Sequence, residues 1–137
     1  ALENVIVELT ETALTLDSTA AVHALNRITA AGARLAIDDF GTGYSSLSHL
    51  TRYPVHSLKI DRSFVTTMLD NERSRAIIRS TIAMARDLGL VTVAEGVESD
   101  VIASELQNMG CDQAQGFALG RPLPPAEAEH MLARIAN

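Results

Sequence analysis

Acidic side chains recur at the ends of short apolar runs in this sequence: Glu8 after Val5-Ile6-Val7, Asp38-Asp39 after Leu35-Ala36-Ile37, and Glu95 after Val91-Thr92-Val93-Ala94. Carboxylates drawn together from separate elements make a site for hard divalent cations, because Mg2+ and Mn2+ prefer oxygen ligands and offset the repulsion of adjacent anions. Asp38-Asp39 is the sharpest of these signals. Consecutive strand residues point oppositely, but at the last turn of a strand the second can swing outward, letting both carboxylates reach neighbouring ions. The same Asp38-Asp39-Phe40-Gly41 string equally satisfies plain turn chemistry. Lys59 and Asp61 end another run, and Gln115 a fifth. Among these acids Lys59 is a structural counter-ion, a stabiliser of charge on a phosphoryl group, or both.

The elements that position these groups follow from local pattern. Residues 5–9 read as a strand covered on both faces, and 34–38, 57–60, 91–95 and, more weakly, 111–115 as further strands. Between them, 19–31 carries Val22, Leu25 and Ile28 at helical spacing after the caps Asp17-Ser18. The helix before the fourth strand places Ile77, Thr81, Met84 and Leu88 on one face. Residues 99–109 open on Ser99 and carry Ile102, Leu106 and Met109, and 125–135 carries Met131, Leu132 and Ile135. Gly32, Gly89 and Gly110 close helices, so the chain repeats a βα unit without an interior linker.

Five parallel strands fit an open doubly wound sheet or five-eighths of a (β/α)8 barrel, and length alone favours the sheet, since a complete barrel usually takes ~250 residues. The polar groups reverse that preference, because barrel enzymes gather their chemistry at the C-terminal ends of their strands. Glu8 shares parity with Ile6, Asp38 with Ala36 and Glu95 with Val93, so each acid is expected beside a packed neighbour. Strand ends also meet solvent and carry polar residues for that reason alone. For any single position that reading is as good.

Other motifs are weaker. The loop 39–47 bears Gly41 and Gly43 but lacks the lysine of a phosphate-binding P-loop and the third glycine of a dinucleotide fingerprint. His23, His49, His56 and His130 have no metal-ligand spacing and read as surface residues. Cys111 reads as a packed strand residue with no partner that would make it a nucleophile.

With 137 residues, 47% of them hydrophobic, and 11 Lys+Arg against 17 Asp+Glu for a net charge of −6, the chain supports one folded domain and no general nucleic-acid polymer binding. One cysteine excludes a disulfide framework and suits the cytoplasm. No apolar run approaches the ~18 residues of a membrane span. The start at Ala1, four residues before an apolar run, is read as the edge of a piece of something longer.

Taken in order, five strings closely resemble the EAL domain family, bacterial phosphodiesterases of cyclic di-GMP. They are Glu8-Leu9-Thr10-Glu11; Asp38-Asp39-Phe40-Gly41-Thr42-Gly43-Tyr44-Ser45-Ser46-Leu47; Leu58-Lys59-Ile60-Asp61-Arg62-Ser63-Phe64-Val65; Val93-Ala94-Glu95-Gly96-Val97-Glu98; and Gly110-Cys111-Asp112-Gln113-Ala114-Gln115-Gly116-Phe117. The resemblance implies an α/β fold, a partial (β/α)8 TIM-type barrel of about five parallel strands with flanking helices. Residues 1–137 are then the C-terminal portion of one EAL-type domain. It implies hydrolysis of cyclic di-GMP to linear pGpG with two Mg2+ or Mn2+ ions. The positions matching Glu8, Asp38 and Asp39 hold metal, the one matching Glu95 ligates the second metal or acts as general base toward the attacking water, and Lys59 matches a lysine near the water and phosphate. Asp61, Glu98 and Gln115 match residues supporting site or substrate. Glu11 matches an acid that anchors the loop after Asp39, a loop associated with dimerisation.

The Glu-Ala-Leu motif of the family and its asparagine ligand are not among these residues. The expectation is therefore an intact parent that is active, cytoplasmic or membrane-anchored, with GGDEF or sensor domains attached. The piece alone is expected to be inactive and to form a homo-oligomer through its strand edges. The alternative is a non-catalytic module that senses cyclic di-GMP or a protein partner.

Overall fold

Strands form where the apolar runs stand. The computed structural model describes residues 2–14, 19–42 and 47–135, the His49 side chain excepted, so the expected caps Asp17-Ser18 and the loop residues Gly43, Tyr44, Ser45 and Ser46 lie outside it. The elements are β1 (Ile6–Thr10), α1 (Glu11–Leu14), α2 (Thr19–Ala30), β2 (Arg34–Phe40), α3 (Leu47–Arg52), β3 (Ser57–Ile60), α4 (Arg62–Thr67), α5 (Glu72–Asp87), β4 (Val91–Glu95), α6 (Asp100–Met109), β5 (Gln113–Gln115) and α7 (Pro125–Ile135). All pairings are parallel and the strand order is β1-β2-β3-β4-β5. That sequential order decides between the two architectures. A doubly wound sheet reverses direction at a switch point, whereas a barrel winds on in one sense.

One face of the sheet is sealed by helices. Leu35, Ile37, Leu58 and Ile60 are almost wholly buried there, in two apolar clusters that also take in Leu25 of α2, Ile78 and Ile82 of α5, and Ile102 and Leu106 of α6. Burying side chains of this size contributes roughly 1.5–3 kcal/mol each. The opposite face carries Glu8, Ala36, Lys59, Val93, Glu95 and Gln115, as the registers Glu8↔Ala36, Lys59↔Val93 and Glu95↔Gln115 require. The expectation of a packed neighbour holds for Ala36, which is buried, but Ile6 is 56% exposed. β1 is an edge strand, and among the described residues nothing covers that side of Ile6.

Helix α5 begins earlier than its apolar pattern suggests, because the Asn71 side chain accepts from the amides of Arg73 (3.0 Å) and Ser74 (3.2 Å) and so caps it. Its buried stripe is Ser74, Ile78, Thr81, Ile82 and Ala85. Of the expected face only Thr81 is buried; Ile77 and Met84 are half-buried and Leu88 is exposed. α6 follows expectation: the Ser99 hydroxyl caps Ile102 N at 3.2 Å, and Gly110 at φ +87° ends the helix in the left-handed region. The expected stripe of α7 is present in sequence, yet Met131, Leu132 and Ile135 are all exposed.

The fifth strand is shorter than expected and excludes Cys111. It is held at its start by one side chain. The Asp112 carboxylate accepts from the amide and hydroxyl of Thr92 (2.8 and 3.0 Å), and the Asp112 amide donates to that hydroxyl at 3.1 Å. The half-buried Cys111 thiol faces the carbonyls of Thr92 and Gln113, and His56 Nδ1 accepts from the Leu35 amide, both structural placements. Among the described residues, no helix is long and apolar enough to cross a membrane.

Candidate active site

The pairing of β2 with β3 slips by one residue. Ile37 stands opposite Leu58 and Phe40 opposite Ile60, so Asp38 and Asp39 together face the single residue Lys59. This bulge is what puts two consecutive carboxylates at one place. Asp39 absorbs the extra residue at φ +55°, and its amide donates to Asp38 Oδ1 at 2.9 Å. Glu95 closes β4 two strands away. Among the described residues, one oxygen each of Asp38, Asp39 and Glu95 lie within 4.8 Å of one another.

Lys59 sits at the centre of this face with its side chain 6% exposed. Its Nζ is 2.8 Å from Glu8 Oε1, 2.8 Å from Glu95 Oε1 and 3.9 Å from Asp38 Oδ1. Burial acts to lower its pKa, but the hydrogen bonds to Glu8 and Glu95 outweigh it and hold the ammonium above its usual range. Glu8 is therefore joined to the other acids through Lys59 and is not itself a member of the three-carboxylate cluster.

Burial pushes the Glu95 carboxyl up in spite of Lys59, with the Asp38 charge adding to the rise. Asp39 is also raised, by burial and then by Asp38 and Asp61. Asp61 moves the other way. Burial would raise it, but the Ser63 hydroxyl and amide donate to its carboxylate, the amide at 2.9 Å, and the balance is downward. These bonds also make Asp61 the N-cap of α4. Gln115 Nε2 donates to Glu95 Oε1 at 3.4 Å.

A cavity of about 620 Å3 opens beside the acids. Asp39, Asp61, Glu95, Glu98 and Gln115 line it together with Arg62, Phe117 and Arg121. Arg62 crosses its wall to Glu98 at 2.5 Å, and Gly96, at φ +72°, leaves the room for it: a Cβ there would stand 2.4 Å from Arg62 Cγ. The Arg121 guanidinium lies over the Phe117 ring, 4.9 Å from its centroid. Arg62, Phe117 and Arg121 had no assigned part in the sequence reading. Arg62 could have been found by its place one residue beyond the strand-end Asp61; Arg121 follows no strand and carried no such signal.

Glu11 opens α1 directly after β1. It is buried, and among the described residues neither carboxylate oxygen has a hydrogen-bond partner. The loop it was expected to anchor runs through residues 43–46, outside the described residues.

The chain is similar to known proteins over most of its length. The family model for the EAL domain matches residues 1–122. The chain is 43% identical over 133 residues to the bifunctional diguanylate cyclase/cyclic di-GMP phosphodiesterase MucR of Pseudomonas aeruginosa, covering 97% of this chain and 19% of that protein. It is 41% identical to the solved PaMucR phosphodiesterase in its c-di-GMP complex, with a TM-score of 0.86 over 93% of this chain and 51% of that one. Against the manganese/cy-diGMP complex of Klebsiella pneumoniae BlrP1 the identity is 38% and the TM-score 0.76, over 84% of this chain and 29% of that one. The chain thus spans less than a fifth of the length of the curated relative and about half of the first solved structure.

Proposed function

The chain belongs to the EAL domain family, and from that premise we propose that residues 1–137 form the C-terminal portion of a phosphodiesterase domain that hydrolyses cyclic di-GMP to linear pGpG. The observation that carries this reading is the convergence of Asp38, Asp39 and Glu95 beside a cavity walled by Arg62 and Arg121.

The donor set suits the metals named for the family. All three groups are carboxylates, two of them adjacent through the β2 bulge, and an all-oxygen set of this kind fits Mg2+ or Mn2+. Asp38, Asp39 and Glu95 would hold the ions, with Glu8 joining them from β1. When bound, such ions activate an attacking water and neutralise charge on the phosphoryl group. Glu95, fixed in the same cluster by Lys59 and Gln115, is suited to accept a proton from water at that place where it is not taken up as a ligand. Gln115 keeps the Glu95 carboxylate oriented, and Lys59 presents a fixed positive charge on the same face. Asp61, pinned by Ser63, and the Arg62–Glu98 pair shape the wall against which the nucleotide lies. Glu11 anchors the loop after Asp39. The retention of every acid in the cluster favours this reading over a non-catalytic sensing module.

The parent protein is cytoplasmic in its catalytic part and carries cyclase-type or sensor domains, a reading supported by the bifunctional name of MucR. Residues 1–137 alone are inactive and associate through the edges of β1 and β5. In the whole polypeptide, Asp38→Asn lowers turnover of cyclic di-GMP by more than the roughly 10–100-fold that loss of an outer partner costs. A chelator does the same. Undiminished hydrolysis with the metal stripped away would sink the reading.

A further inference from the structure

Among the described residues, the acidic face encloses one cation of its own. Lys59 is almost fully buried, and its ammonium touches acids from two strands that do not pair with each other, Glu8 of β1 and Glu95 of β4. No other described basic group is within ion-pairing distance of Glu8, Asp38 or Glu95. The ammonium and an incoming dication therefore draw on the same carboxylates: Glu95 belongs both to the three-acid cluster and to the Lys59 pair.

Resting on the metal-dependent reading above, we propose that Lys59 is the internal counter-ion of the site, holding Glu8 and Glu95 while metal is absent and setting a threshold that a divalent cation must overcome to bind. Two physical effects act in the same direction. A unit positive charge a few ångströms from the ion repels it in a medium of reduced dielectric. The same charge relieves the repulsion among the carboxylates, so the metal-free site has less to gain from a dication. If Lys59 served only to aim its two partners, removing its charge would have the opposite effect, because misaligned ligands bind metal more weakly.

The test is a calorimetric titration of the whole polypeptide with Mn2+ alone, in three forms: wild type, Lys59→Met and Lys59→Arg, each checked for folding by circular dichroism. The proposal expects Lys59→Met to melt lower without metal, to bind Mn2+ about tenfold more tightly and to gain more in Tm on loading. Lys59→Arg keeps the charge and stays near wild type. Folded Lys59→Met that binds Mn2+ no more tightly than wild type overturns the proposal. Should Lys59→Met fail to fold, the wild type answers by NMR of its lysine 15Nζ–H groups. A slowly exchanging Lys59 signal that is lost or shifted on adding Mg2+ supports the proposal; one unchanged at saturation overturns it. Absence of Mn2+ binding by the wild type overturns both this proposal and the metal-dependent function. Binding as expected without cyclic di-GMP hydrolysis removes the function and leaves the role of Lys59 standing.

Discussion

The backbone amide of Asp39 donates to the carboxylate of Asp38, its immediate predecessor, at 2.9 Å, while Asp39 itself adopts φ +55°. The two facts share one origin. β2 has one residue more than β3 between the pairs Ile37↔Leu58 and Phe40↔Ile60, and the left-handed turn at Asp39 takes up the excess. Adjacent carboxylates reach the same face at the cost of a conformation that most residues avoid.

Replacing Asp39 separates the backbone cost from the charge. Asp39→Gly, Asp39→Asn and Asp39→Ala all remove the carboxylate, but glycine takes the left-handed region freely, asparagine tolerates it and alanine does not. Denaturant unfolding of the three is expected to rank them Gly, Asn, Ala, with the first and last about 1 kcal/mol apart. Alanine as stable as glycine would mean that the turn is unstrained.

Gly116 follows Gln115 at the end of β5, and a Cβ there would stand 2.2 Å from Val97 O and 2.4 Å from Val97 N. Both are backbone atoms, in a loop fixed by the Val97 amide to Gln115 O (3.0 Å) and the Ala118 amide to Val97 O (3.1 Å). Gly116→Ala is therefore expected to cost roughly 2–4 kcal/mol. It also displaces Gln115 from Glu95. A thermal melt within a degree or two of wild type would contradict the close approach.

Burial pushes the Cys111 thiol above its ordinary value of 9.0, against the hydrogen bonds that favour the thiolate. A raised pKa means less thiolate in the folded chain than in the unfolded one at any pH below that value, and the thiolate is the reactive form. Alkylation by iodoacetamide near neutral pH should be slow in the native protein, accelerate on unfolding in urea, and in the native state keep rising with pH beyond 9.0. Equal rates for folded and unfolded chain at neutral pH would contradict the shift.

The elements were largely legible because their signals are local. Strand runs, the Ser99 cap, the stripe of Ile102 and Leu106 and the closing Gly110 act through neighbours within a turn or two, so the sequence alone determines β3, β4 and α6 nearly to the residue. Short helices without a long apolar period, α1, α3 and α4, escaped, although α4 is announced by Asp61 and Ser63 once capping is considered.

Residue types at strand ends likewise identify Glu8, Asp38, Asp39, Lys59 and Glu95 as candidates, since the alternation of side chains along a strand needs no partner to be read. How they meet is a matter of pairing. The bulge exists only as a mismatch between β2 and β3, and the contacts of Lys59 only because β1 and β4 bring Glu8 and Glu95 to either side of it. The turn of α5 that is buried, and the exposure of Ile6 and the α7 stripe, were settled in the same way, by which surfaces found a neighbour. Periodicity tells which side chains share a face; only the assembled sheet supplies what that face rests against, and with it the burial and the charge that give the site its chemistry.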